Sequence, residues 1–327
     1  MSNNLENPFL PSHGAKPNLS ALAEQGFLPP DEVAKLRELE DQKDRSSKFD
    51  VRNSLSGVSL KEGMTAQERG SLKESQEETR KELIEWADKW DLGDEDWVDE
   101  TFDFQSNGTV VCNRNLNLSK MTEADFPDCI FKVTGYLNLQ SLTSAEHLNL
   151  PASLGGDLDL RNLASAEHLN LPTTIGGTLD LRGLTSAEHL NLPTTIRGNL
   201  YLQNVTTAEH LNLPTTIGSG LYLPNLTSAE HLNLPTTIGG DLNLFSLTSA
   251  EYLKLPPTIF GSLYLQSLTS AEHLNLPPTI GGTLDLRSLT SAEHLVLTDI
   301  KGAVYLDSLP EQEKQQLRKK YPDLTIE

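Results

Sequence analysis

From about residue 116 the apolar positions fall on a fixed frame of 21 residues, marked by His147, His168, His189, His210, His231, Tyr252, His273 and His294. The unit reads L-x-L-x-x-L-T-S-A-E-H-L-N-L-P-T-T-I-G-G-x. A short fixed period signals stacked supersecondary units rather than a globular core. Each unit holds two L-x-L triplets, such as Leu179/Leu181 and Leu190/Leu192. Period-2 alternation turns both leucines inward and predicts a strand at each triplet. No stretch between Pro and Gly-Gly is long enough for a helix of several turns. The expected fold is therefore mainly β, a parallel β-solenoid of about nine coils with an aliphatic interior. A degenerate copy opens it at Leu116, Leu118, Met121 and Ala124, and a partial one closes it at Val304, Tyr305 and Leu306.

The frame divides the chain into four expected parts. Residues 1–60 are rich in Ser, Asn, Pro, Lys and Glu and read as largely disordered, with one short helix over 31–42. Residues 61–115 hold a helix over about 65–90, opened by a Thr65/Glu68 capping box, with Leu83, Trp86 and Trp90 on one face. The segment DLGDEDW ends that helix, and FDFQSNGTVVC reads as a hairpin around Asn107-Gly108. The solenoid covers 116–308. Residues 309–327 form a cap, with Ser308 to Glu311 as capping box, a helix, a stop at Pro322 and a last LTI strand. Caps are needed because a solenoid otherwise ends in raw strand edges, and the helix and hairpin of 61–115 are expected to close the other end.

The motif I-G-G-x-L-x-L-x-x-L-x-x-A resembles receptor L-domain repeats and, more loosely, bacterial leucine-rich-repeat arrays, over about 116–309. Three residues separate Ile175 from Leu179, and Leu184 stands where those repeats carry Asn. These departures favour a straighter β-helix over a horseshoe. The resemblance implies a binding surface rather than catalysis.

Composition narrows the partners. Net charge is −20, which disfavours nucleic acid and anionic membranes. No apolar run approaches the ~20 residues that span a bilayer, and the N-terminus lacks the pattern of a secretory leader. A cytoplasmic protein is expected, with Cys112 and Cys129 as reduced thiols; signal-independent export stays open.

Three repeated features invite chemistry. Glu-His side by side in seven coils suggests a metal or proton strip. A line of ligands ~4.8 Å apart does not converge on an ion, however, so corner residues are the better reading. The column Asn149, Asn170, Asn191, Asn212, Asn233 and Asn275 is expected to hydrogen-bond from coil to coil. Thr-Thr pairs are adjacent rather than T-x-T, which places their side chains on opposite faces and argues against a lattice-matching surface.

The informative columns are those that vary. Outward on the first strand stand Asp159, Asp180, Tyr201, Tyr222, Asn243, Tyr264 and Asp285. Two residues on come Arg161, Arg182, Gln203, Phe245, Gln266 and Arg287. Tyr and Arg are favoured interface anchors. The expected function is a non-enzymatic scaffold that binds another protein through this face, with no cofactor, no metal and no set oligomeric state. The alternatives are a structural or self-associating rod and a bacterial effector whose solenoid is a targeting module. No phosphate loop or nucleophile elbow is present in the sequence.

Overall fold

The computed structural model describes residues 66–105 and 107–327. The expectations for 1–60, the short helix over 31–42 and the Thr65/Glu68 capping box lie outside the described residues and side chains. Two compact units are present: one holds the described residues up to Asn113 with Pro127–Lys132, the other Arg114–Phe126 with Val133–Glu327.

In the first unit helix α1, Ala66–Lys89, buries Leu83, Trp86 and Ala87, while Trp90 is half-buried beyond its end. The acidic segment after it does more than stop the helix. Asp94 caps a second helix, α2 (Glu95–Thr101), by accepting from the Trp97 N–H at 3.1 Å. Arg80 of α1 meets Asp99 at 2.6 Å and Glu95 at 2.5 Å. The hairpin follows as expected, with Phe102–Phe104 antiparallel to Val110–Cys112 and Gly108 at φ 80°. Cys112 is buried and Cys129 half-buried.

The second unit is a parallel β-solenoid of about ten turns with repeats of ~21 residues. Each full coil contributes two short strands, but not the expected pair. The first L-x-L triplet supplies one, as in Leu179–Asp180, within an eleven-stranded sheet that runs from Leu116–Asn117 to Thr325–Ile326. The other strand is the Thr-Ile step, as in Thr174–Ile175, not the second triplet. The rungs are in register, with Leu200 opposite Leu179 and Leu221, and Ile196 opposite Ile175 and Ile217.

The second triplet fails as a strand because of the residue before it. His189 has φ 62°, and all eight residues at this position lie at φ 62–65°. In each corner the Leu N–H bonds to the Ala carbonyl three residues back, as Leu190 to Ala187 at 3.0 Å. Positive φ at the third position is the mark of a type II turn, and His tolerates it better than most non-Gly residues. The chain leaves this turn with Leu190 and Pro193 buried and Leu192 only half-buried.

Leu179, Leu181, Leu184, Ala187, Leu190 and Ile196 show how one coil fills the interior, none more than 4% exposed. Each buried Leu or Ile contributes about 1.5–3 kcal/mol of transfer free energy. The Gly-Gly corner brings coils close. A Cβ on Gly239 would lie 2.1 Å from the Gly218 carbonyl oxygen.

At the C-terminal end, helix α3 (Glu311–Lys320) begins after Pro310, with no side-chain cap. The expected Ser308 capping box does not form, since the first helical turn starts at Pro310, whose carbonyl accepts from Glu313 and Lys314. Glu313 instead accepts from the Ala292 N–H at 2.6 Å, and Tyr321 from Leu297 at 3.3 Å. The helix thus satisfies backbone donors of the last full coil. Thr325–Ile326 adds the final parallel strand, against Ala303–Tyr305. Among the described residues no helix is long and apolar enough to cross a membrane.

Candidate functional site

The variable face lies on the outside of the leucine sheet, and three aligned positions build it. Just before most of these strands stands a short residue whose side-chain oxygen accepts from the next coil. Asp157 accepts from the Thr178 N–H at 2.7 Å, Thr178 from Asn199 at 3.3 Å, and Asn199 from Gly220 at 2.8 Å. Asp241 and Ser262 continue the series at 2.7 and 3.1 Å. Sequence reasoning left this position unassigned. Its signal is faint, a column of mostly Asn, Asp, Thr and Ser interrupted by Tyr136 and Gly220.

At the second position the acidic and amide residues turn back into their own corner. Asn138, Asp159, Asp180, Asn243 and Asp285 each accept from the N–H two residues on, at 3.0–3.3 Å. These are Asx turns. Asp180 and Asp285 are only 5% and 1% exposed. The arginines serve them: Arg161 pairs with Asp159 at 2.5 Å and reaches Asp180 at 3.8 Å, and Arg182 pairs with Asp180 at 2.7 Å. Hydrogen bonding to these carboxylates holds both guanidinium groups above their ordinary pKa. Arg287 lies 3.4 Å from Asp285, which also accepts from Gln266 at 2.6 Å. The charged flanks are therefore internally paired.

The centre is aromatic. Tyr201 and Tyr222 stack with ring centroids 4.6 Å apart. Arg182 lies over Tyr201 at 5.4 Å, and Arg287 over Tyr305 at 4.8 Å. The ring of Tyr222 folds back over Gly220, where an added Cβ would come within 2.6 Å of it. Its phenol is pushed up to about 12, first by burial and then by the Asp241 carboxylate and the neighbouring phenols. Tyr264 is half-buried and Phe245 is 46% exposed. Gln203, also half-buried, keeps its side-chain oxygen buried without a hydrogen-bond partner among the described residues.

The repeated features take structural places. Each Glu-His pair lies side by side, with Nε2 and Oε1 3.6–3.7 Å apart, and both side chains are largely exposed. Where a Ser stands two residues before the Glu it accepts the Glu N–H, as Ser228 from Glu230 at 3.1 Å; before Glu209 the residue is Thr207. Among the described residues no three His, Cys, Asp or Glu are grouped to hold a metal ion. The asparagines do not bond from coil to coil: Asn191 and Asn233 donate to the His carbonyl two residues back, at 3.4 Å. Their stretch is not a strand, so nothing holds them in a ladder. Both threonines of the Thr-Thr pairs are exposed, because the strand begins only at the second of them.

No protein-family model matches the chain, and neither a curated protein nor a solved structure shows significant similarity to it.

Proposed function

We propose that the protein is a non-enzymatic scaffold that binds another protein through the outer face of its leucine sheet, centred on Tyr201, Tyr222, Asn243, Phe245 and Tyr264. The observation that carries this reading is Phe245, 46% exposed in the turn that follows the Leu242–Asn243 strand, beside the half-buried tyrosines of the sheet. Large aromatics held on a rigid frame lose little conformational freedom on binding, which makes them economical anchors. The Asp-Arg pairs act as a rim that sets orientation, since their charges are already matched within the chain. Kinship with bacterial leucine-rich-repeat and L-domain proteins is part of this proposal. It rests on the L-x-L strand and the inward Ile of each repeat. A cytoplasmic location belongs to it as well.

The test is affinity capture from the native cell with the full chain and with Tyr201→Ser, Tyr222→Ser and Tyr264→Ser combined. The triple variant should melt as a folded solenoid and lose the partner. Capture at parental yield removes this face from consideration.

A further inference from the structure

The tyrosines on the face fall into two classes. Tyr201 and Tyr305 each carry a guanidinium of the preceding coil, from Arg182 and Arg287. Tyr222 and Tyr264 follow Gln203 and Phe245 instead, and carry no cation among the described residues. They flank a single coil, because Asn243 is in register with Tyr222 on one side and Tyr264 on the other. The two tyrosine positions thus stand roughly 9.6 Å apart, two strand spacings. The side chain between them is short and turned away: Asn243 accepts from the Phe245 N–H at 3.0 Å. One end of the coil carries the Asp241 carboxylate, close enough to Tyr222 to raise its phenol, and the other carries exposed Phe245.

We propose that Tyr222 and Tyr264 form a receptor slot for an arginine side chain of the protein partner, with Asp241 as its counter-charge. This rests on the reading of the leucine-sheet face as the docking surface. A guanidinium is planar, stacks on aromatic faces and pairs with a carboxylate. The chain already places guanidinium groups on the same column of rings at 4.8–5.4 Å. A chain of net charge −20 also draws basic partners through its long-range field. The partner segment is therefore basic, with an arginine anchor beside an apolar residue that meets Phe245.

The test titrates a fluorescent arginine-glycine repeat peptide into the full chain at physiological salt, with lysine-glycine and citrulline-glycine peptides as comparisons. Arginine should bind best and neutral citrulline worst. Tyr222→Leu with Tyr264→Leu should weaken arginine binding about tenfold, whereas the two Phe variants keep it. Asp241→Asn should also weaken it, and this variant keeps the oxygen that accepts from the Ser262 N–H, so the coil stays intact. Tyr305→Leu, whose ring already holds Arg287, should change nothing. Equal affinity in the parent and the double leucine variant overturns the arginine slot. If the triple-serine chain still loses its captured partner, the face stands and only the arginine assignment falls. If that chain captures normally, the docking face falls and the slot with it.

Discussion

The N–H of Phe260 lies 3.4 Å from the carbonyl oxygen of Ile238, whereas glycines at the same corner position reach the coil before them at 2.8–2.9 Å. Arg197 and Lys301, which also carry side chains at this corner, sit at 3.1 and 3.0 Å. A Cβ at this corner meets the carbonyl of the previous coil and pries the rung open.

Gly239→Ala should therefore destabilise the solenoid by about 1 kcal/mol, the net worth of a weakened hydrogen bond. Gly70→Ala in α1 meets nothing within 4 Å and should stabilise by about 0.5–1 kcal/mol. Denaturant titration of both variants checks the pair. Equal effects of the same sign would mean that coil spacing does not select glycine.

His231 tests the turn. With φ at 63°, His231→Gly should be neutral or stabilising, and His231→Val should cost about 1–2 kcal/mol. Thermal melting distinguishes this from a chemical role, in which both substitutions would be equally harmful to whatever the strip does and neither would move stability.

Asp180 is a corner cap as well as an ion-pair partner. Asp180→Ala should cost about 2 kcal/mol by freeing the Arg182 N–H and both arginines. Asp180→Asn keeps the cap oxygen and should cost clearly less. An equal loss in both variants would assign the whole effect to the ion pair.

Alkaline pH should loosen the fold through Tyr222 and Cys129. Burial pushes each up to about 12, from ordinary values of 10.0 and 9.0. The unfolded chain ionises first, so stability is retained below about pH 9 and falls as pH rises from there toward 12. Phenolate absorbance should show one late-titrating tyrosine, absent in Tyr222→Phe. Slow alkylation of Cys129 at pH 8 should accelerate only on unfolding.

The interior was legible because burial leaves its mark on residue type within one coil. Leu179, Leu181, Leu184, Ala187 and Ile196 all point inward as the pattern requires. What escaped depends on the neighbouring coil or on a single dihedral angle. Leu190-Asn191-Leu192 alternates like a strand, yet the left-handed turn at His189 forbids one. Thr-Thr-Ile hides a strand behind polar residues that face water. Asp180 looks like an outward surface residue and is in fact folded into its own corner. The oxygen ladder through Asp157, Thr178 and Asn199 spans one coil to the next, and no local pattern reports it.

The central claim is that partners dock on the leucine-sheet face, and oxidative footprinting of the full chain with and without its captured partner tests it most directly. Protection confined to Tyr201, Tyr222, Phe245 and Tyr264, with Tyr252 and Phe260 still reactive at their 60% exposure, is the predicted result. Protection of Tyr252 or the histidine corners, with the four aromatics as reactive as in the free chain, would contradict it.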